Sequence, residues 1–493
     1  LHQISLDDEV ITDIERDKLH REIYRTQGKL ASRYELDPLG RLKRQIATLN
    51  DLTETGKGKT KVAEGYTQTA VKRSYGYDRT DNLTHSTDQR TGTTQFEYDK
   101  LGRITQAGNE LFAFDPAHNI LSDDLNPIPD NRLKTYNGTT YYYDELGNLI
   151  HRELADGEMQ NYFYDLHDQL VKAEIFKKDG TKETWAYTYD ALGRRIGKGR
   201  LKDSQEVSDD LDNQTRFVWD GSHLLQEIHP DGRYTYIYTD PGSYEPLAQV
   251  RDWTTADGES RQQTHYFHCD QIGIPREMTD KDGNLLWFGN YTGWGRLKEE
   301  TKVMDSAYQP FRLQNQYCDR ETGLHYNFFR YYEPDAGRFV NQDPIGLEGG
   351  DNIYLFSPNI QSWIDPLGLL SWNTARKQFW KAEAKKERDR IAKEKAKNPG
   401  SSPKCKYSER NLKRMEKGKA PRIKVRIRTR RGIEERNVSL ELHHTYLPQR
   451  LGSNKAHEAW NLSIATPWAH AAMDPFRHTG SVLLKILKGT STW

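Results

Sequence analysis

Along the first 340 residues, short stretches of alternating apolar and polar positions are separated by clusters of turn formers, and one degenerate unit recurs. Its clearest copies are Tyr98-Asp99-Lys100-Leu101-Gly102-Arg103-Ile104, Tyr143-Asp144-Glu145-Leu146-Gly147-Asn148-Leu149 and Tyr189-Asp190-Ala191-Leu192-Gly193-Arg194. Weaker copies begin at Leu36-Asp37, Tyr77-Asp78, Phe114-Asp115, Tyr164-Asp165 and Trp219-Asp220. Side chains two apart share a sheet face, so Phe96 with Tyr98, or Tyr141 with Tyr143, can lay an aromatic stripe along a strand. The Asp can accept from its own downstream backbone, and the Gly three later is free to take positive φ. The chain then reverses into a strand opened by Arg or Asn plus Leu or Ile. Successive aspartates from 78 to 220 lie 16 to 30 residues apart, about one hairpin with insertions. A lone hairpin cannot bury its apolar face, so neighbours must stack or the sheet must close. The pattern predicts a mainly β protein built on a long coiling sheet.

After residue 324 the pattern becomes denser, with His325-Tyr326-Asn327-Phe328-Phe329-Arg330-Tyr331-Tyr332 and Gly337-Arg338-Phe339. Asp343-Pro344-Ile345-Gly346-Leu347 follows, and Asp365-Pro366-Leu367-Gly368-Leu369 closes the segment. Residues 374–397 are rich in Lys, Ala and Glu with few turn formers, which predicts a helix ended by Asn398-Pro399-Gly400-Ser401-Ser402-Pro403. The expected segments are therefore a β region over 1–324, a distinct segment over 325–369, a basic helical linker or arm over 370–403 and a small α+β domain over 404–493. In the last, Val438–Leu442 and Asn461–Ile464 read as short strands, and 467–476 as a helix started by Thr466 and Pro467.

Composition agrees with many aromatic strands and tight turns: 28 Tyr, 11 Trp and 37 Gly in 493 residues, enough for two or more domains. Mean hydropathy is −0.94, no run approaches the ~20 apolar residues of a spanning helix, and the first thirty residues are too charged for a signal peptide. The expectation is a chain with neither a membrane span nor a classical secretion signal. Cys269, Cys318 and Cys405 are too far apart for a metal knuckle and odd in number. The balance of 72 basic and 72 acidic side chains hides a division. Residues 1–370 carry 43 basic and 61 acidic groups, or −18, and residues 371–493 carry 29 and 11, or +18. Two parts with different partners are implied, the basic one suited to a polyanion. Arg422-Ile423-Lys424-Val425-Arg426-Ile427-Arg428 can present its cations on one strand face.

Two patterns can carry chemistry. The Asp-Pro-Xaa-Gly-Leu segments, with aspartates at 343 and 365, read from the residues alone either as turns or as a carboxyl pair able to share one proton. Near the C-terminus, Glu441-Leu442-His443-His444, Asn461 and Thr466-Pro467-Trp468-Ala469-His470 form a β-loop-β-helix pattern that can hold one divalent ion. A His doublet sends adjacent side chains in different directions, one to a metal and one to a scissile phosphate.

The repeat and the segment after it, roughly residues 30–370, resemble the Rhs/YD-repeat family, which includes the C component of Tc toxin complexes. The resemblance implies a β-sheet spiral forming a shell around a C-terminal toxin, and a chain that is a C-terminal fragment or a short member without a PAAR-like delivery module. It also implies aspartic self-cleavage between Leu369 and Leu370, with Asp343 and Asp365 as the reacting carboxyls. Arg330 is a candidate to orient one of them, and Ile360 stands where the family more often has Pro. Residues 436–480 resemble the LHH-type variants of the HNH/endonuclease VII superfamily, implying a ββα-metal nuclease. On that resemblance His443 and His470 bind one divalent ion, Mg²⁺ in first place with Zn²⁺, Mn²⁺ or Ni²⁺ as alternatives. His444 acts as general base and Asn461 orients it. Glu441 stands behind the site, His478 is a candidate for metal or phosphate, and Arg450 and Arg477 are candidates for phosphate. The function implied is an antibacterial or effector toxin, made in the bacterial cytoplasm and delivered by a type VI spike or a Tc-like injector. It would cut DNA in the target cytoplasm and be countered by an immunity protein. RNA as substrate, and a non-enzymatic adhesion scaffold with an anion-binding tail, are the alternative readings.

Overall fold

Each clear repeat folds as a hairpin corner that satisfies its own polar groups. At Asp190 the carboxylate accepts from the backbone N–H of Leu192 (2.9 Å) and Arg194 (3.0 Å), while its other oxygen accepts from Arg194 Nε (2.7 Å). Gly193 closes the corner at φ +79°, a conformation that penalises any Cβ. Asp99 with Arg103 repeats this arrangement, as expected from the pattern. The Tyr of the unit adds a tie to the start of the strand immediately before it. Tyr98, Tyr164, Tyr189 and Tyr238 donate their hydroxyls to the carbonyls of Leu83, Leu149, Leu170 and Leu224 at 2.8 to 2.9 Å. Asp17, Asp270 and Asp280 make the same corner without a Tyr before them, and so escape the sequence pattern. The copy at Trp219-Asp220 is a correction. Asp220 there ends a strand and pairs directly with His223 across a two-residue turn.

The computed structural model describes residues 2–6, 8–49, 69–79, 81–121, 126–202, 211–240, 242–304, 307–349, 352–369, 380, 383–388, 390–392, 394, 405–417, 419–429, 432–444 and 462–465. The chain divides into two units. Leu1–Leu36, Leu42–Gly346 and Asp351–Leu369 form the first; Asp37–Arg41, Leu347–Gly350 and Leu370–Trp493 form the second.

In the first unit, ten strands between Gln3 and Leu111 pair antiparallel in chain order, and fifteen strands between Thr135 and Lys302 do the same in a second sheet. The protein is thus mainly β, as predicted. Polar groups buried between the sheets tie them together: Arg73 pairs with Glu277 (2.5 Å), Arg25 with Glu245 (3.2 Å), and Gln27 Nε2 donates to the Phe267 carbonyl (2.9 Å). Residues 307–369, with four short strands between Tyr317 and Phe339, pack on the second sheet. Arg195 is buried there, bonded to Asp319 (2.6 Å) and within 4.2 to 5.5 Å of the rings of Tyr326, Phe217, Tyr317 and Tyr187. Lys198 joins Asp319 and Glu321 (both 3.0 Å), and Arg152 pairs with Glu333. Isolated buried charges are costly, so these pairings give the segment one register on the sheet.

In the second unit, the described residues between 380 and 394 are helical, inside the predicted 374–397. A further helix, Glu409–Met415, is capped by Ser408, whose hydroxyl accepts from the Asn411 N–H (3.3 Å). Trp380 and Ala384 share one apolar cluster with Tyr407, Leu412 and Met415. The basic helix therefore contributes to a core with residues on the far side of 398–403. Arg422–Thr429 pairs antiparallel with Gly432–Ser439 along its whole length. The predicted strand over Val438–Leu442 is broken at Leu440, and Glu441–His444 forms a separate strand.

Because the corner is held by its own aspartate, Asp190→Ala should lower stability by about 1–2 kcal/mol. Leu192→Ala, at a side chain 67% exposed, should leave it unchanged. Denaturant midpoints of the two variants against the parent measure this.

Candidate active site

The predicted aspartates come together on one buried cation. Asn327 and Arg330 pair across a tight hairpin whose first corner residue, Phe328, is held at φ +58°. That conformation is strained for a bulky side chain. It turns the Phe328 ring into an apolar cluster with Leu367 and Leu369. The hairpin aims Arg330 inward, where it is 1% exposed and its guanidinium lies 3.6 Å from the centre of the Phe339 ring. Arg330 Nη2 lies 3.2 Å from Asp343 Oδ2 and 3.5 Å from Asp365 Oδ2. The same nitrogen donates to the Leu369 carbonyl (3.4 Å), Nη1 donates to the Ile353 carbonyl (3.1 Å), and Nε donates to the Gly368 carbonyl.

Each Asp-Pro-Xaa-Gly segment is a turn, as one of the two readings of the sequence had it, and its carboxyl lies against Arg330. Gly346 N–H donates to Asp343 O (2.8 Å) and Gly368 N–H to Asp365 O (3.3 Å). Gly368 sits at φ +63°, and a Cβ there would fall 2.7 Å from the Asn327 carbonyl oxygen. Asp365 Oδ1 accepts from the Leu369 N–H (3.0 Å), and Asp343 Oδ1 from the Ile345 N–H (3.2 Å).

Burial dominates the electrostatics. It pushes the Asp365 carboxyl up to about 7, opposed by Arg330 and the Leu369 N–H and reinforced by the charge of Asp343. Asp343 is also raised by burial, with Arg330 and the Ile345 N–H working against the rise. Arg330 is itself lowered, because burial outweighs its two aspartates. One cation serving two carboxyls favours one proton between them.

Asn315 and Asn327, which the sequence reading missed, complete the frame. Asn327 Nδ2 donates to the Asp365 carbonyl (3.0 Å), Asn315 Nδ2 to the Pro366 carbonyl (2.5 Å), and Phe329 N–H to the Leu367 carbonyl (3.3 Å). Asn327 opens a tight reversal, for which Asn is suited, and that was its one visible signal; Asn315 had none. Ile360, in place of the family's Pro, is buried in the main core.

In the second unit, Glu441–His444 pairs antiparallel with Leu462–Ala465, setting His443 opposite Ser463 and His444 opposite Leu462, the residue after Asn461. The strand pairing expected of the His doublet is present. Leu370, Arg450, Asn461, His470, Arg477 and His478, and the predicted helix 467–476, lie outside the described residues. Among the described residues no group of three or more His, Cys, Asp or Glu side chains could hold a metal ion; the set proposed around His443 includes His470, which lies outside them.

Family models described as RHS protein and RHS Repeat match residues 264–301 and 77–111. Double-stranded DNA deaminase toxin A of Burkholderia cenocepacia is 38% identical over 390 residues, covering 75% of this chain and 26% of that protein. Toxin protein Tse5 of Pseudomonas aeruginosa is 30% identical over 421 residues (72% and 30%), and Probable deoxyribonuclease RhsA of Dickeya dadantii is 28% identical over 391 (75% and 25%). The chain belongs to the Rhs family. This Rhs chain spans about a quarter to a third of the length of these relatives. The share of it they match is more than the residues after 369 amount to, so the likeness includes the β unit.

Arg330→Leu would leave two buried carboxyls without a cation, a loss of about 3–5 kcal/mol. The native state of the variant would then bind more protons than the unfolded chain, so its stability should fall as pH rises from 5 to 8. Thermal unfolding across that range should show a deficit against the parent that is larger at pH 8.

Proposed function

We propose that this chain is part of a polymorphic toxin that cuts itself once, after Leu369, to free a nuclease domain. The observation that carries the cleavage is that one Arg330 nitrogen is within reach of both carboxyls and of the Leu369 carbonyl oxygen. Asp365, the more strongly raised carboxyl, is suited to be the acid, and Asp343 the base. Asp343 takes a proton from a water whose oxygen adds to the Leu369 carbonyl carbon. Arg330 donates to the oxygen as it becomes negative. Asp365 protonates the Leu370 nitrogen, the C–N bond breaks, and a Leu369 carboxyl and a free amine result. The substrate is the enzyme's own backbone, so its effective concentration is high.

The freed residues carry the excess of positive charge and the paired strands of His443 and His444. These support a nuclease on a polyanionic substrate, with DNA favoured by the name of the RhsA relative. In this reading His443 and His470 would hold a divalent ion that supplies charge for phosphate. His444, oriented by Asn461, would take the proton from the attacking water. Delivery by a specialised injector and neutralisation by an immunity protein belong to the same reading.

Intact mass of the purified chain should give two products divided between Leu369 and Leu370, whereas Asp343→Asn and Asp365→Asn should leave one mass. The cleavage rate should fall as pH rises through about 7, where Asp365 loses its proton. If both variants still yield the two fragments, the carboxyl pair is not the catalyst. In a plasmid assay with Mg²⁺, nicking should be lost with EDTA and fall at least a hundredfold in His444→Ala; unchanged nicking would remove His444 as base.

A further inference from the structure

Five consecutive carbonyls, from Asp365 to Leu369, are each bound by a donor lying earlier in the chain. Asn327 Nδ2, Asn315 Nδ2, Phe329 N–H, Arg330 Nε and Arg330 Nη2 take them in order. The Leu369 N–H is held by Asp365 Oδ1, and the Leu367 and Leu369 side chains are buried against Phe328. None of these anchors belongs to residues after Leu369.

We infer that, once the backbone is cut, this frame becomes a binding site for a C-terminal leucine carboxylate, and that the chain's own new end fills it permanently. The inference rests on cleavage after Leu369. Hydrolysis replaces the neutral Leu369 carbonyl with a carboxylate beside a guanidinium, and a charge-assisted bond is stronger than the neutral one it succeeds. The C–N bond was the only link removed, so the backbone and side-chain groups anchored from Asp365 to Leu369 keep the partners they had. The leucine end therefore competes with any second peptide for Arg330, and the site is closed to catalysis in trans. Retention also protects the new terminus, since a carboxypeptidase must bind the terminal carboxylate and side chain that the frame already holds.

The test uses the cleaved full chain incubated with a carboxypeptidase that removes C-terminal leucine, followed by intact mass. The fragment ending at Leu369 should lose leucine at least tenfold more slowly than a free peptide ending Asp-Pro-Leu-Gly-Leu. Phe328→Ala, which removes the apolar wall and no polar anchor, should speed the loss. Hydrogen exchange provides a reading that needs no variant: the Leu369 amide of the cleaved chain should exchange at least tenfold more slowly than in the free peptide. Trimming or exchange at the free-peptide rate would overturn the retention while leaving cleavage intact. Absence of any fragment ending at Leu369 would overturn the cleavage itself and the retention with it.

Discussion

A single guanidinium with almost no access to water organises the end of the β unit. Arg330 is too costly to bury alone, and each of its three nitrogens meets a carboxyl or a carbonyl. Two aspartates are more negative charge than one arginine neutralises, so one of them stays protonated at little cost. The need to neutralise Arg330 is thus the same need that fixes the chain's path from Asp365 to Leu369.

The repeat corners were legible because their chemistry is local. Asp99, Gly102 and Arg103 interact within five residues, and such interactions leave a spacing in the sequence. Asp343 and Asp365 were legible for the same reason, as repeated turns. Arg330 was legible as a candidate to orient one of them, but Asn315 and Asn327 were not: they act across 51 and 38 residues, through contacts that no local spacing records. Trp219-Asp220 misled because an aromatic–Asp pair also suits a two-residue turn, where pairing with His223 takes over from the side-chain corner.

In the basic unit, charge alone suggested a solvated arm, but Trp380 and Ala384 show how a thin apolar stripe suffices to seat a helix. Trp380 and Ala384 are buried in the small core, while Lys385 and Lys386, which follow directly, stay exposed. The His doublet occupies a strand whose partner begins beside Asn461, so the backbone already joins two of the three motifs that the sequence places far apart.

The self-sufficiency of the hairpin corners has a consequence for how such proteins change over time. A corner that settles its own polar groups can be altered with little compensation elsewhere, whereas the strands carrying Arg73, Arg152 and Arg195 cannot be lost without taking a buried cation from Glu277, Glu333 and Asp319. The stretch ending at Leu369 has less freedom, because losing Arg330 strands two buried carboxyls and losing Asn315 or Asn327 leaves a carbonyl without its donor. Variation should therefore be tolerated in the corners and stop abruptly at that frame.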